Sequence, residues 1–313
     1  MLKLQDKMKI SLTGANGFIG RNLLAKLLQA NHTVKILSNQ SCPNRLVKVC
    51  KGDFSSNAND IYNFLKDSDV LINCAGEISN IEKMKNTNFI GVKKILNIIK
   101  DRNIDIKFLQ LSSAGVYQKN YELNNYEYIN EKNKNYSNNI YEQSKLQADT
   151  EIMAHAKNYI ILRPTAIYSK DMPNNSLRNL IKFVEKRYYF YIGDKNSILS
   201  YLHVDDLTDT IMNIILNDYF NNQIYNLSND TKLKETIDRI TDIYNTRNIT
   251  RQVSKGFYKF LIILLPKFLK LPISSSIYNA LTSKTIIDSS LAKKNLQFNP
   301  TRCLHEHIDE LIS

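Results

Sequence analysis

The sequence of 313 residues contains no tryptophan and only four cysteines. Cys42, Cys50, Cys74 and Cys303 follow no metal-ligand spacing and form no disulfide framework, so we expect no metal site and free thiols in a reducing compartment. The short, polar N-terminus lacks the apolar core of a signal peptide. The longest apolar run, Phe260–Leu265, is far too short to cross a bilayer. These absences predict a cytoplasmic protein.

Acidic residues are also scarce, because 30 Asp and Glu face 42 Lys and Arg, which gives a net charge of +12. Such a charge is compatible with nucleic acid, an anionic membrane surface or a phosphate-bearing substrate, and equally with a proteome biased towards Lys, Asn, Ile and Tyr. No basic stripe or recognised nucleic-acid module accompanies it, so we expect no nucleic-acid partner. The hydrophobic content of 43% suffices for one large α/β domain, or for a domain plus a smaller lobe.

Short apolar strands alternate with helical patterns in the first half of the chain, and no internal repeat is visible. This βαβ rhythm is typical of a parallel sheet with helices on both faces. We predict strands at residues 9–13, 33–38, 70–74 and 107–112, and helices at 19–29 and 88–100.

The second half is less regular. A polar segment at 118–139 is expected to be a mobile surface loop, and from residue 232 the tail is expected to be mainly helical. We predict helices at 140–156, 172–186 and 205–217, and strands at 159–162 and 224–227. The first domain should comprise residues 1–168, with 200–228 completing its sheet, and a smaller lobe should comprise 169–199 and 229–313.

A glycine-rich turn follows the first predicted strand and precedes the first predicted helix. Gly14 permits a tight turn, Gly17 lets the backbone approach a pyrophosphate, and Gly20 allows the helix to pack closely on the strand. The free N–H groups and dipole of the helix N-terminus favour phosphate groups. Because strand and helix flank the motif, it indicates a dinucleotide-binding site.

The spacing G-x-x-G-x-x-G resembles that of the extended short-chain dehydrogenases/reductases, the NAD-dependent epimerase/dehydratase group that includes the UDP-galactose 4-epimerases and sugar-nucleotide dehydratases. The resemblance covers nearly the whole chain. It implies a Rossmann-type doubly wound parallel sheet, a smaller C-terminal substrate lobe, and NAD or NADP as cofactor. The positions it assigns to cofactor binding are Gly14, Asn16, Gly17, Phe18, Ile19, Gly20, Ser38, Asp53, Phe54, Ala75, Gly76, Asn88, Ser112, Tyr141, Lys145 and Pro164.

Several later segments carry the same resemblance. Asp53 matches the family's adenine-binding aspartate, residues 73–76 match the stretch against which the cofactor lies, and Asn88 matches an asparagine that braces the site. The pair Arg163-Pro164 and residues 201–206 match two further family segments. Each is weak alone: Asp53 is also compatible with a simple turn, and a histidine at position 203 with a satisfied core side chain.

Tyr141 and Lys145 lie one turn apart on one face of a predicted helix. A phenol has a pKa near 10, and an ammonium group together with an oxidised nicotinamide should lower it towards working pH. By family position, Ser113 hydrogen-bonds the reacting sugar oxygen, while Ser112 contacts the cofactor or the backbone. The predicted catalytic triad is Ser113, Tyr141 and Lys145.

The chain departs from the family at informative positions. Dehydratases and decarboxylases carry an acidic residue within two positions of the catalytic serine or threonine, where this chain has Ala114 and Gly115. The sequence therefore favours hydride chemistry alone: 4-epimerisation of a sugar through a transient ketone, or reduction of a ketone by NADPH. Ser38 stands where NAD-specific relatives place an acid, so NADP is also compatible, and Arg45 is a candidate for its 2′-phosphate.

Two substrate contacts of the family are altered. Thr165-Ala166 follows Arg163-Pro164 where many relatives have an asparagine, and Leu199 stands where many have a phosphate-binding arginine. Recognition of a nucleotide by the usual route is therefore in question.

An apolar, lysine-interleaved segment at 257–271 is compatible with a core helix or with an in-plane membrane helix. With the altered contacts, it suggests a sugar carried on a polyprenyl diphosphate, as in some family members, at the inner face of the membrane. Surface-polysaccharide biosynthesis fits this role, and helices 88–100 and 140–156 resemble those through which relatives form homodimers. The remaining alternatives are a ketoreductase of sterol-like or flavonoid-like substrates and a non-catalytic nucleotide-binding protein.

Overall fold

A parallel sheet of seven strands forms the centre of the molecule, with the strand order β11-β7-β5-β4-β1-β2-β3. The computed structural model describes residues 7–42, 44, 46–121, 123–136, 139–246, 249, 251–264 and 275–312. The strands are β1 Lys9–Thr13, β2 Thr33–Leu37, β3 Val47–Cys50, β4 Val70–Asn73, β5 Lys107–Leu111, β6 Glu127–Ile129, β7 Tyr159–Pro164, β8 Ala166–Tyr168, β9 Tyr191–Ile192, β10 Ile198–His203, β11 Gln223–Leu227, β12 Asn229–Lys232, β13 Gln252–Val253 and β14 Thr285–Ile287.

Helices cover both faces of this sheet. Its inner strands are short apolar runs because both of their faces are buried. One face packs against α1, α7 and α11, and the other against α2, α4 and α5, which gives two hydrophobic cores. The helices are α1 Phe18–Gln29, α2 Ala58–Leu65, α3 Ile81–Met84, α4 Gly91–Asp101, α5 Ile140–His155, α6 Ser176–Glu185, α7 Val204–Asn217, α8 Leu233–Ile243, α9 Lys255–Leu264, α10 Ser275–Thr282, α11 Ser290–Leu296 and α12 Leu304–His307. The Rossmann-type doubly wound fold predicted from the sequence is confirmed.

The strand order reverses at β1. After β3 the chain crosses to the other side of β1 and continues with β4, β5 and β7. In such sheets the carboxyl ends of the strands on either side of the reversal border a ligand crevice. The glycine turn follows β1 and the predicted serines follow β5, so both lie at this edge.

A smaller assembly adjoins the central sheet. Strand β10 pairs with β8 and β12 in a sheet of three strands. A separate core formed by α6, α8, α12 and these strands includes Tyr168, Leu177, Leu199 and Ile237. None of the described helices is long and apolar enough to cross a membrane.

Several sequence predictions are corrected here. Strand β10 lies in the small sheet, so within 200–228 only β11 joins the central sheet. Helix α6 begins at Ser176 rather than 172, since Pro173 disfavours helical backbone at the residue before it. Segment 118–139 contains β6, which pairs with β14 from the supposedly helical tail and buries Ile129. Helix α2, capped by the Asn57 side chain, was not predicted.

Candidate active site

The glycine turn between β1 and α1 leaves no room for side chains. Gly14 has φ +68°, and a methyl group placed on it would lie 2.6–2.7 Å from backbone atoms of Cys74 and Ala75. One placed on Gly20 would lie 2.0 Å from the Gly14 carbonyl oxygen. Gly17 caps α1 without any side-chain hydrogen bond, so the first N–H groups of the helix remain available to an anion. This cradle fits the diphosphate of a nicotinamide dinucleotide.

The predicted ribose-binding residues meet beside the cradle. Asn16 Nδ2 donates to Ser38 Oγ at 2.9 Å, which links the glycine turn to the end of β2. Asp53 is instead held in its own turn, where it accepts hydrogen bonds from the backbone and hydroxyl of Ser55 that lower its pKa. The adenine contact assigned to Asp53 therefore stays a prediction. Arg45 lies outside the described residues.

Phe18 and Ile19 form the start of α1, and each packs at the border of a hydrophobic core. Phe54 lies against α4, where a methyl group on Gly91 would lie 2.3–2.5 Å from its ring. Pro164 ends β7 at the same edge of the sheet. The predicted cofactor-binding residues thus lie at one edge of the central sheet. Some of them contact one another, as Asn16 and Ser38 do.

Asn88 lies in a wide helical turn, Lys85–Ile90, which has π-helical hydrogen bonding and connects α3 to α4. Its amide accepts from Glu77 N at 2.8 Å and donates to Glu77 O and Ser144 Oγ, both at 3.0 Å. A methyl group on Gly76 would lie 3.3 Å from Lys145 Nζ and 3.8 Å from Asn88 Oδ1. The predicted bracing role of Asn88 is therefore matched by contacts to both the β4 loop and α5.

Ser113 and Tyr141 are neighbours at the carboxyl end of β5, where the Ser113 hydroxyl also accepts from Gly115 N at 3.0 Å. Burial and the nearby carboxylates of Glu142 and Asp149 raise the pKa of Tyr141 to about 12, and Ser113 opposes this rise. The protein's own groups therefore do not produce the predicted fall of this pKa.

Lys145 lies on the same helix, with its ammonium group 2.9 Å from the Leu111 carbonyl oxygen. Only 4% of the residue is exposed. Burial lowers the pKa of Lys145 to about 8, and the charge of Asp149 opposes this fall. The structure therefore brings Ser113, Tyr141 and Lys145 to one place, as the sequence predicted.

A buried ionic network behind the triad was missed in the sequence. Asp149 Oδ2 accepts from Ser112 Oγ at 2.8 Å and from Arg163 Nε at 3.1 Å. Both Asp149 and Arg163 are fully buried, and the guanidinium also lies over the Tyr117 ring at 4.9 Å. The spacing of Asp149 four residues after Lys145 was the available signal.

A second missed group is Glu142, which follows Tyr141 in the chain. A methyl group on Gly115 would lie 3.0 Å from Glu142 Oε1 and 3.1 Å from Ser113 Oγ. Ala114 and Gly115 are indeed not ionisable, but the fold places a carboxylate beside them. The absence of an acid at these two positions therefore does not exclude proton transfer other than by Tyr141.

Two of the remaining sequence candidates have structural roles. His203 caps α7 by accepting from Asp205 N at 3.1 Å, and its other ring nitrogen lies 3.2 Å from Glu310 Oε2. Leu199 is buried in the core of the small lobe. His203 is thus a satisfied, buried side chain, which is the simpler of the two interpretations of its sequence.

The apolar segment at 257–271 is described only as far as the end of α9, and residues 265–271 lie outside the described residues. Tyr258 is buried and stacks on Tyr278 with ring centroids 6.0 Å apart. Phe257 and Phe260, in contrast, are 52% and 56% exposed. Helix α9 therefore combines a packed face with an exposed aromatic one.

These features define a nicotinamide-dependent enzyme of the extended short-chain dehydrogenase/reductase class. The model of the NAD dependent epimerase/dehydratase family matches residues 10–228, and the chain belongs to that family. The family is NAD dependent.

Individual relatives are distant. A Methanocaldococcus jannaschii protein provisionally assigned as a UDP-glucose 4-epimerase is 26% identical over 254 residues, covering 74% of this chain and 81% of that protein. The mouse sterol-4-alpha-carboxylate 3-dehydrogenase (decarboxylating) is 28% identical over 121 residues. That match covers 37% of this chain and only a third (33%) of the length of the mouse enzyme.

Among solved structures, the UDP-glucuronic acid 4-epimerase of Bacillus cereus in complex with NAD superposes with a TM-score of 0.71. The two sequences are 19% identical, and the superposition covers 97% of each chain. At this identity the similarity establishes the shared fold alone.

Proposed function

We propose that the protein is an NAD(P)-dependent 4-epimerase of a sugar carried on a diphosphate. The observation that carries this proposal is that Ser113, Tyr141 and Lys145 meet at the carboxyl end of β5, at the same edge of the sheet as the glycine cradle. The methanogen relative, whose assigned activity is that of a UDP-glucose 4-epimerase, supports the same reaction class.

In the proposed mechanism, Tyr141 removes the proton of the sugar 4-hydroxyl and later returns it. Ser113 hydrogen-bonds the same oxygen, and Lys145 holds the cofactor ribose and stabilises the phenolate. A bound oxidised nicotinamide would supply the hydride acceptor and donor for C4 and a positive charge that favours the phenolate. The chain's own contribution is to orient the sugar oxygen and exclude water from Tyr141.

The first test is to identify the nicotinamide that the purified protein retains, by denaturation followed by mass spectrometry. Retained NAD in near-stoichiometric amount is expected, because an epimerase recycles its cofactor within each turnover. The protein is then incubated with UDP-glucose and with UDP-N-acetylglucosamine, and the C4 epimers are measured by proton NMR. Absence of any epimer, with a protein that carries no nicotinamide but consumes NADPH, would contradict the proposal.

The second candidate is an NADPH-dependent 4-keto-sugar reductase. It is favoured by the end of β2, where Ser38, held by Asn16, stands at the position at which NAD-specific relatives carry an acid that repels a 2′-phosphate. A reductase must exchange its cofactor, so it would be isolated empty and would oxidise NADPH stoichiometrically with a 4-keto sugar. A ketoreductase of sterol-like substrates is a third candidate, which the mouse relative supports. The same NADPH assay with a 3-keto sterol tests it.

We further propose that the carrier is a polyprenyl diphosphate and that α9 contacts an anionic membrane. The exposed Phe257 and Phe260 lie three residues apart on one helix face. The test is co-sedimentation with phosphatidylglycerol vesicles at low salt. Replacing both phenylalanines by serine should abolish binding, while Tyr188→Ser, which removes an aromatic ring that is 68% exposed elsewhere, should not. Equal binding of all three proteins would rule out α9 as the contact.

We also propose that residues 169–199 and 229–313 form the substrate lobe and that a homodimer forms through α4 and α5. Ile90, which precedes α4, and Met153 on α5 are 44% and 40% exposed. Analytical ultracentrifugation of wild type and Met153→Lys distinguishes dimer from monomer. A role in surface-polysaccharide assembly follows from the proposed substrate.

A further inference from the structure

The buried pair Asp149–Arg163 lies directly behind Lys145, and its composition is unusual for a purely structural element. Asp149 and Arg163 are both 0% exposed. Desolvating two such charges offsets much of their attraction, so a buried ion pair is weak evidence of stabilisation. An apolar pair of similar volume would pack equally well. Packing alone therefore does not account for the carboxylate at this position.

Two residues, Ser112 and Arg163, hold one oxygen of the Asp149 carboxylate. Ser112, the residue after β5, donates to Asp149 Oδ2 at 2.8 Å. Arg163, on β7, approaches the same oxygen with Nε at 3.1 Å and Nη2 at 3.0 Å. Asn135 in turn accepts from Arg163 Nη1 at 3.0 Å, so the guanidinium is itself held in place.

The other carboxylate oxygen is treated differently. Asp149 Oδ1 is buried, and among the described residues it has no hydrogen-bond partner. The nearest lysine along the helix is Lys145, one turn earlier, whose ammonium group faces the Leu111 carbonyl. An anion held rigidly one turn from a buried ammonium stabilises the charged form of that ammonium.

We infer that Asp149 is a positioning residue whose carboxylate, fixed by Ser112 and Arg163, keeps Lys145 protonated within the buried site. This inference concerns the lysine of the proposed triad and so rests on the proposed function. It adds a residue that touches neither substrate nor cofactor and acts through Lys145.

The other titratable groups around Lys145 do not replace Asp149. Cys74, at the end of β4, is a neutral thiol because burial raises its pKa to about 12. Tyr141 is likewise a neutral phenol in the protein alone, with its pKa raised to about 12. Arg163 is a cation, and Glu131 and Tyr117 face it rather than the lysine. Asp149 is thus the carboxyl among these groups whose charge acts on Lys145. Burial raises the pKa of Asp149, and Arg163, Ser112 and Lys145 oppose this rise.

The experiment measures the pKa of Lys145 directly. The full-length protein is labelled with [13Cε]lysine, and the resonance of Lys145 is assigned by its loss in Lys145→Met. In the wild type we expect a pKa of about 8. Asp149→Asn should lower it by about one unit or more, and Asp149→Glu should leave it close to the wild-type value because the charge is kept.

Asp206 provides a matched control. It is also a buried carboxylate in an ion pair, with Arg302 Nη1 2.8 Å from its Oδ1, but it lies on α7, away from the triad. Asp206→Asn should therefore lose an equivalent pair without changing the pKa of Lys145. An equal shift in this control, or an unchanged pKa in folded Asp149→Asn, would overturn the inference.

Asp149→Asn leaves Arg163 buried without its counter-ion and could therefore misfold, so a second variant is needed. The double variant Asp149→Leu with Arg163→Met removes both charges and keeps the volume. If the inference holds, Lys145 titrates lower in it too. If Lys145→Met leaves activity and NADH affinity unchanged, the proposed triad fails, whereas the titration still decides the inference about Asp149.

Discussion

The two halves of the crevice use different physical means. In the nucleotide half, β1, β2 and α1 offer glycines, an amide and a hydroxyl: Gly14, Gly17, Gly20, Asn16 and Ser38. In the reactive half, β5, α5 and β7 present the buried ions Lys145, Asp149 and Arg163. The first half presents a shape formed by its backbone, and the second holds charged groups away from water.

The difference determines how each half should respond to change. A backbone cradle depends on space, so its substitutions should act sterically and equally at every pH. A set of desolvated charges depends on protonation, so its substitutions should change pH profiles. Substitutions in the two halves should therefore differ in whether their effects depend on pH.

The largest effect is expected from Gly14→Ala. Its φ of +68° costs a side chain about 1–2 kcal/mol, and the added methyl also collides with the backbone after β4. Gly17→Ala is the matched control, because its methyl would meet only the Gly14 carbonyl oxygen at 3.2 Å. We expect Gly14→Ala to lose thermal stability and cofactor together, and Gly17→Ala to weaken the cofactor alone. Calorimetry and NADH fluorescence measure both, and a stable Gly14→Ala that binds NADH would refute the steric account.

Tyr141→Phe should have the next largest effect. Loss of the phenolic proton carrier is expected to reduce turnover by about 10²–10⁴-fold. Cofactor affinity should change little, because the ring and Lys145 remain. The measurement is the rate of sugar epimerisation alongside NADH titration. Retained turnover at the wild-type level would remove Tyr141 from the mechanism.

Ser38→Asp tests the nucleotide half from the opposite direction by adding a charge. A carboxylate at the end of β2 should repel a 2′-phosphate, weakening NADP binding by about tenfold while NAD is kept. Ser38→Ala, which removes the contact with Asn16 but adds no charge, is the control. Calorimetric titration with NAD and NADP measures the ratio, and an unchanged ratio would place the adenosine ribose elsewhere.

The smallest predicted effect is that of Glu142→Gln. The Glu142 carboxylate is one of the groups that raise the pKa of Tyr141 to about 12, so its removal should lower that pKa. A lower pKa gives more phenolate at any pH below it, and the rate should therefore rise at the acidic end of the profile. Ultraviolet titration against Tyr141→Phe isolates this tyrosine. A shift to higher pH would contradict the assigned geometry.

Sequence reasoning located the parts of the site that sit at strand ends. Gly14 and Ser113 follow β1 and β5, and the carboxyl ends of parallel strands meet at one edge, whatever the lengths between them. Tyr141 and Lys145 come from α5, where their one-turn spacing was the signal. The helix carrying Tyr141 and Lys145 was also predicted within two residues. Local pattern was sufficient for these features.

Contacts between distant segments were not predictable in this way. Strand β6 pairs with β14, and Thr285 of β14 donates to Glu127 of β6 across 158 residues of sequence. Both strands are three residues long, too short for an alternating pattern to be recognised. The Asp149–Arg163 pair has the same character, since each residue alone resembles an ordinary helix or strand position.

The geometry of the site depends on the number of residues in the wide turn at Lys85–Ile90. A π-helical turn accommodates one residue more than an α-helical one. Losing a single codon there would let α3 and α4 join as one regular helix, but it would rotate one segment against the other by about 100°. Asn88 would then no longer face both Glu77 and Ser144. Such an in-frame deletion would leave both helices intact, but it would remove the Asn88 hydrogen bonds that link the segment after β4 to α5.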